Sequence, residues 1–461
     1  MFLLLHIFFI SFTDKFGSQP ITFSDRAIEQ RALWNIPTDS LDYAVSPLYL
    51  DSLRRVGGHI YHTSRWMNGA TVELTPAVAE QVATWTFVRS VDLTKDDTQP
   101  SSVLQRKLPS STPSQQNVLD YTRNQLSLYN LLPLHAASYK GQDIVMTICD
   151  AGFTKTDEMT CFDHSHCLGT FDFSAENKGF YASSTHGTNC LSVIAAETDD
   201  YHGAAPEAHY YLMRSEENDA ESPKESDNLI AALEKADSLG TNIFSASLGY
   251  YNFDNPAFNW HYTDMDGQTT RCSRAATIAA RKGMLVVIAM GNEGNKSWHY
   301  LTAPADADSI LAVGAVGIDS VLAPFSSRGY SSDGRVKPEA CAVGYQTFLY
   351  SPSGIVSGNG TSFATPLIAG MAASLWSAMP TATAQDIRSR IIRSAHLYTQ
   401  PNPDYGYGIP NAEAAWRGTT NLSSISESTP NPTPAPRKFL FHSQLLIEYN
   451  GTNYNILGQK L

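Results

Sequence analysis

Hydrophobic and polar positions change rhythm several times along the chain. Residues 1–12 are almost wholly apolar. A helical pattern follows at 46–55, opened by Ser46 with Pro47 at the first helical position, where a missing N–H costs nothing. Gly57-Gly58 ends it. Residues 59–64 and 70–74 alternate as strands across Asn68-Gly69, Thr75-Pro76 opens a second helix through Ala83, and 87–91 form a further strand. With one more strand supplied from upstream, this succession is a small ferredoxin-like unit. Residues 95–117 then lose all periodicity and are rich in Ser, Pro, Gln and Asp, as an exposed linker would be.

A longer rhythm follows. Short apolar runs at 143–149, 209–213, 242–247, 285–289 and 310–316 read as buried strands, and 186–196, 226–239 and 270–282 as helices between them. Strands alternating with helices predict an α/β fold, a mostly parallel sheet with helices on both faces. In such sheets functional residues collect at the carboxyl ends of strands. Asp150, Asn292 and Ser247-Leu248-Gly249 all fall there. After Trp416 the rhythm stops at a Ser/Thr/Pro/Asn-rich stretch, and alternation returns from Lys438 with Asn450-Gly451 as a hairpin turn.

At 461 residues the chain has length for two or three units. A formal charge of −13 argues against nucleic acid as a partner. The apolar run at 1–12 is too short to span a membrane and precedes the small pair Gly17-Ser18, so residues 1–18 read as a signal peptide; no other stretch is long and apolar enough for a span. Export permits disulfides among the six cysteines. Cys149 and Cys190 sit in apolar runs and read as buried thiols, and Cys161 with Cys167, flanking a polar loop, are the best candidates for a pair. Histidines in that loop also raise zinc, which needs about four tetrahedral ligands; a disulfide is the simpler reading.

The chemistry centres on Gly360-Thr361-Ser362-Phe363-Ala364-Thr365-Pro366. A serine opening a helix meets unpaired backbone N–H groups, so Ser362 either caps the helix or attacks a carbonyl whose oxyanion those groups receive. Attack needs an imidazole base, an orienting carboxylate and a further oxyanion donor. His186 in Thr185-His186-Gly187-Thr188, Asp150 in Asp150-Ala151-Gly152, and Asn292 in Gly291-Asn292-Glu293-Gly294 have the chemistry, though each also has an ordinary turn or capping reading. Their order resembles that of the subtilisin family. Asp150-Ala-Gly, His186-Gly-Thr, Ser247-Leu-Gly, Gly291-Asn-Glu-Gly, Asp333-Gly-Arg-Val-Lys-Pro338 and Gly360-Thr-Ser-Phe-Ala-Thr-Pro366 match subtilase signatures across about 120–416.

The resemblance implies an exported serine endopeptidase made as a zymogen. Ser362 would be nucleophile, His186 base and then acid, Asp150 its orienting acid, and Asn292 an oxyanion donor. Ser247, Leu248 and Gly249 would pair with substrate backbone and, with Ala289, Met290 and Gly291, wall a primary pocket for an apolar side chain. Substrates would be proteins or peptides, and the early unit a propeptide acting as inhibitor and folding template. No cofactor is called for; structural calcium is compatible but assignable to no residue. The expected division is signal peptide 1–18, propeptide 19–95, linker 96–117, peptidase 118–418, linker 419–437, and a β tail 438–461 similar to Bacteroidetes sorting modules. Two departures stand out: the loop 161–167, and the acids between Arg214 and Glu221, which would disfavour acidic residues upstream of the cut bond. The competing function is a catalytically silent subtilase fold that binds peptides or serves as a surface protein.

Overall fold

The computed structural model describes residues 4–96 and 118–419, apart from 164, 175, 177 and 178, with backbone alone at 118–121 and in three strands between 437 and 454. Residues 4–96 form a four-stranded antiparallel sheet from β1 (His6–Phe12), β2 (His59–Ser64), β3 (Gly69–Leu74) and β4 (Val88–Asp96), in the order β2-β3-β1-β4. Between β1 and β2 come α1 (Asp25–Leu33) and α2 (Pro47–Arg55), and α3 (Pro76–Ala83) joins β3 to β4. This is the expected ferredoxin-like unit, and β1 is its missing strand.

That placement corrects the reading of residues 1–18 as a signal peptide. β1 lies between β3 and β4, and both of its faces are covered. Phe8, Ile10 and Phe12 join Leu53, Val72 and Val82 in one core. Phe9, 1% exposed, faces the larger unit, where the Arg271 guanidinium lies 4.4 Å from its ring centroid. A strand buried on both faces loses its alternation and reads as a continuous apolar run, which is also how a leader reads.

One segment lies outside the ferredoxin-like pattern. Between β1 and α2 an arm carrying α1 reaches across the larger unit. Ser24 caps α1 by accepting from the Ala27 N–H, while its own N–H donates to Ser238 O at 2.9 Å. Arg26 Nε donates to Gly240 O at 3.0 Å, and the Trp34 ring sits 5.6 Å from that of Trp376.

The larger unit opens with α4 (Val118–Ser127) and α5 (Leu132–Ala136). Its sheet is built from β5 (Val145–Asp150), β6 (His166–Asp172), β9 (His209–Arg214), β10 (Ile243–Ala246), β11 (Leu285–Ala289), β12 (Leu311–Val316) and β13 (Ala340–Val343). The order is β13-β12-β11-β10-β5-β9-β6, and every neighbouring pair is parallel. Two hairpins, β7 (Glu197–Thr198) with β8 (Tyr201–His202) and β14 (Thr347–Ser351) with β15 (Gly354–Gly358), lie outside it.

Strand residues alternate between two cores, as a period of two requires. Ile243, Leu285, Val287 and Val313 pack with α6 (His186–Ala195) and α9 (Thr361–Ser377). Phe244, Val286, Ile288 and Ala312 pack with α7 (Pro223–Leu239) and α8 (Arg271–Arg281). Helices α10 (Ala384–Ser394) and α11 (Ala412–Arg417) close the unit. Asp150, Ser247 and Asn292 all stand at the carboxyl edge of the sheet. The chain beyond residue 419 is a separate unit, in which β16 (Arg437–Phe441), β17 (Gln444–Tyr449) and β18 (Thr452–Tyr454) form a three-stranded antiparallel sheet rather than a single hairpin. The turn Asn450-Gly451 and most of both linkers lie outside the described residues.

All six cysteines are free thiols. Cys149 and Cys190 are buried as expected, at 0% and 1% exposure. The Cys161–Cys167 pairing is not made: Cys161 packs in the core beside Phe162, and Cys167 is exposed on the edge strand β6. His164 lies outside the described residues.

Burial of Phe8, Phe9, Ile10 and Phe12 contributes roughly 1.5–3 kcal/mol each, together comparable to the ~5–15 kcal/mol net stability of a whole domain. A chain beginning at Ser18 is therefore expected to lack a folded N-terminal unit and to accumulate as insoluble, unprocessed protein. Gel analysis of soluble and insoluble fractions checks this; soluble, normally processed protein from that chain would restore the leader reading.

Candidate active site

Asp150 ends β5 at 2% exposure. Its Oδ1 accepts from the Ala151 N–H at 2.7 Å and lies 2.7 Å from His186 Nδ1, while Oδ2 has no hydrogen-bond partner. The approach depends on the next residue. A Cβ on Gly187 would stand 2.4 Å from Gly152 O and 2.9 Å from Asp150 Cβ, so α6 could not sit so near β5 with any other residue there. The contact fixes the imidazole with Nδ1–H toward the carboxylate, leaving Nε2 to accept a proton.

Burial pushes the His186 pKa down, but the Asp150 carboxylate and the Cys190 sulfur outweigh it, and the net direction is well up. Burial also holds the Cys190 thiol protonated, so Asp150 is the charge that matters. Asp150, His186 and Cys190 offer ligand atoms within 4.8 Å of one another. A metal would need the thiolate and the Asp150-bound imidazole nitrogen, and both are committed elsewhere.

Ser362 is the second residue of α9, 7% exposed. Its hydroxyl donates to Ser247 O at 3.4 Å, not to His186. Its carbonyl is the more constrained atom. The residue four positions on is Pro366, inside the helix and without an N–H to give. The orphaned oxygen accepts instead from Ser247 Oγ at 2.7 Å and from Cys190 Sγ at 3.4 Å. Helices α9 and α6 and the 247–249 segment thus meet at one atom.

Asn292 is oriented by Thr361. The Thr361 backbone N–H and hydroxyl donate to Asn292 Oδ1 at 2.9 and 3.1 Å. A backbone N–H can only donate, so the amide oxygen must face it and Nδ2 turns outward as a free donor. The Gly291 N–H donates to Thr361 Oγ1 at 3.3 Å, tying the 289–291 segment to the start of α9. Asp150, His186, Ser362, Asn292 and Ser247 therefore form one cluster, edged by Gly249, Ala289 and Gly291. Leu248 and Met290, 5% and 0% exposed, instead pack into the core shared with α7 and α8. Gly187, Thr361 and Pro366 were not singled out from sequence, although the proline inside a helical pattern was a visible signal for the last.

The acids after β9 are largely engaged within the protein. Arg214, fully buried, pairs with Asp172 and Glu176. The Tyr250 hydroxyl donates to Glu216 Oε1 at 2.6 Å. Glu217 pairs with Lys224 and, at 2.8 Å, with Lys95 of β4; burial raises its pKa, but the two ammonium groups overcome this and hold it down at about 2. Beside Lys95, Asp96 Oδ2 accepts from Asn255 Nδ2 at 2.9 Å. The end of β4 is thus moored between the segment after β9 and the loop beyond Gly249.

A parallel sheet with acid, base and hydroxyl at its carboxyl edge defines a class of hydrolase, and comparison with known proteins agrees. The model of the subtilase family, Peptidase S8, matches residues 141–409, and that of the peptidase S8 propeptide domain of Bacteroidota matches 7–110. The chain belongs to the subtilase family and is a serine endopeptidase carrying its propeptide domain. It is 29% identical over 288 residues to subtilisin DY of Bacillus licheniformis, covering 61% of this chain and 94% of that protein. Subtilisin E of Bacillus subtilis (strain 168) is 30% identical over 288 residues, 61% of this chain and 68% of that protein. The crystal structure of MycP1 from the ESX-1 type VII secretion system shares the fold, with a TM-score of 0.53 at 20% identity over 68% of this chain and 90% of that one.

If His186 is the general base, as the sequence leads one to expect, it must act as the neutral imidazole, and activity is expected to fall as pH drops through its raised pKa. Asp150→Asn removes the charge that raises it. The acid limb should move to lower pH, and turnover should fall by roughly ten-thousandfold, the scale of the equivalent change in other serine proteases, subtilisin included. A pH–rate profile checks both; an unmoved limb would mean that another group sets it.

Proposed function

We propose that this chain hydrolyses peptide bonds through an acyl-enzyme formed on Ser362, with Asp150 and His186 completing the triad. The observation that carries this reading is the 2.7 Å contact between Asp150 Oδ1 and His186 Nδ1, beside a serine opening a buried helix. Ser362 Oγ attacks the scissile carbonyl carbon while His186 Nε2 takes its proton. The oxygen, now negative, is received by Asn292 Nδ2 and by the Ser362 N–H, a first-turn amide with no partner in its own helix. His186 returns the proton to the departing amine, and water, activated by the same nitrogen, releases the acyl group. Ser247, Leu248 and Gly249 pair with substrate backbone as an added strand. Reaching the base requires the Ser362 hydroxyl to turn away from Ser247 O, a single rotamer change.

The N-terminal unit through Asp96 acts as temporary inhibitor and folding template, and the linker to 117 is the segment cut on activation. Export of the protein is supported by the family alone, since the run that suggested a leader is β1; no described helix is long and apolar enough to cross a membrane. The C-terminal β tail is proposed as a sorting element.

A fluorophosphonate probe is expected to label the processed protein and to lose its target in Ser362→Ala. Labelling that survives this change would remove Ser362 from the role; no labelling of processed wild type would leave a fold that binds peptides without cutting them.

The inhibitor reading has its own pH test. His62 of β2, half-buried, lies against the Phe173 carbonyl at 2.8 Å and Asn228 Oδ1 at 3.0 Å, with Lys224 and Glu217 nearby. Desolvation lowers its pKa below the ordinary 6.5. The bound unit therefore disfavours the protonated ring, so its affinity is full above that value and declines as pH falls through it. Gel filtration of the processed complex should show more release at acid pH, with that component reduced in His62→Gln. Equal pH dependence in the variant would exclude His62.

A further inference from the structure

The two walls proposed to take the residue before the cut bond are joined by a third segment. Thr302 N donates to Met290 O at 3.2 Å on one wall. The next residue, Ala303, exchanges both backbone hydrogen bonds with Tyr250, which directly follows the other wall, at 2.8 and 3.1 Å. Leu301–Ala303 therefore crosses from wall to wall, and the Thr302 side chain rises between two glycines. A methyl group built on Gly249 would stand 2.2 Å from Thr302 Oγ1. One built on Gly291 would stand 3.1 Å from both Oγ1 and Cγ2. Thr302 is 4% exposed, and its hydroxyl is buried with no hydrogen-bond partner.

We infer that Thr302 is the floor of the primary specificity pocket and restricts it to small side chains: glycine, alanine and serine. The inference rests on the active-site reading above and sharpens it by naming the substrate class. The glycines at 249 and 291 leave an opening between the walls, and Thr302 fills it. Leu248 and Met290, which suggested an apolar pocket from sequence, face the core and cannot line it.

The test is cleavage-site profiling of the processed enzyme on a denatured protein mixture, reading the residue before each cut by sequencing the released peptides. Wild type is expected to cut mainly after Gly, Ala and Ser. Thr302→Gly removes the floor and should add Leu, Met, Phe and Tyr. On paired peptide substrates the Phe-over-Ala ratio of kcat/KM should rise by roughly tenfold or more, the range for methylene-sized changes in a pocket. Thr302→Ser keeps the hydroxyl and loses only Cγ2, and should widen the pocket less. Fluorophosphonate labelling of each variant shows that it is folded and competent. The mature N-terminus is a second readout: self-cleavage within 97–117 should fall after Ser101, Ser102, Ser110, Ser111 or Ser114, not after Leu104 or Leu108. Labelled wild-type enzyme that prefers large residues, or a labelled Thr302→Gly with an unchanged ratio, overturns the inference alone. Processed wild type that neither labels nor cuts overturns the active-site reading and this inference with it.

Discussion

The Ser362 carbonyl is the atom on which the active-site arrangement turns. Every residue of α9 from Thr361 to Trp376 is buried, so a backbone oxygen left unpaired there has no water to turn to and would cost the fold directly. Pro366 guarantees that the helix itself cannot pair it. Ser247 Oγ at 2.7 Å and Cys190 Sγ at 3.4 Å resolve the problem, and in doing so they fasten α9 to the wall after β10 and to α6. The register of three elements is thereby set around a single acceptor. The Ser362 hydroxyl, the His186 imidazole and the 247–249 segment inherit their relative positions from a requirement of backbone satisfaction.

The parallel sheet was legible because its strands are buried on both faces and read as short apolar runs, with glycine turns carrying Asp150 and Asn292 at their ends. The candidate site was legible as a set of residues in order. Its geometry was not: nothing in the motif around His186 says that Gly187 exists to let α6 reach β5, or that Thr361 turns the Asn292 amide. β1 was misread because continuous apolarity is the common signature of a leader and of a strand covered on both sides, and only tertiary context separates them. Thr302 was missed for a related reason. Its neighbours in sequence are unremarkable, and its meaning comes from two glycines more than ten residues away.

The contact between the N-terminal unit and the larger one is more charged than two packed cores would suggest. Glu234 of α7 accepts from Ser64 Oγ, from the backbone N–H groups of Arg65 and Trp66, and from the Arg65 guanidinium. Asp237, one turn on, takes Arg65 and Arg31, and Lys282 of the larger unit reaches back to buried Asp42. Removing one partner from such buried pairs strands a charge, so the surface selects strongly against any partner that lacks the complementary pattern.

The arm carrying α1 gives this surface a second point of attachment, at the carboxyl ends of α7 and α8, away from the mooring of β4 near Glu217. Two tethers on one rigid body raise the effective concentration of each for its own site, so one can rebind while the other holds. Severing the covalent link and freeing the enzyme are then distinct events with distinct rates. On the proposed inhibitor role, the lag before activity is set by the slower of them, and a protein already cut stays dormant for as long as the arm keeps its grip.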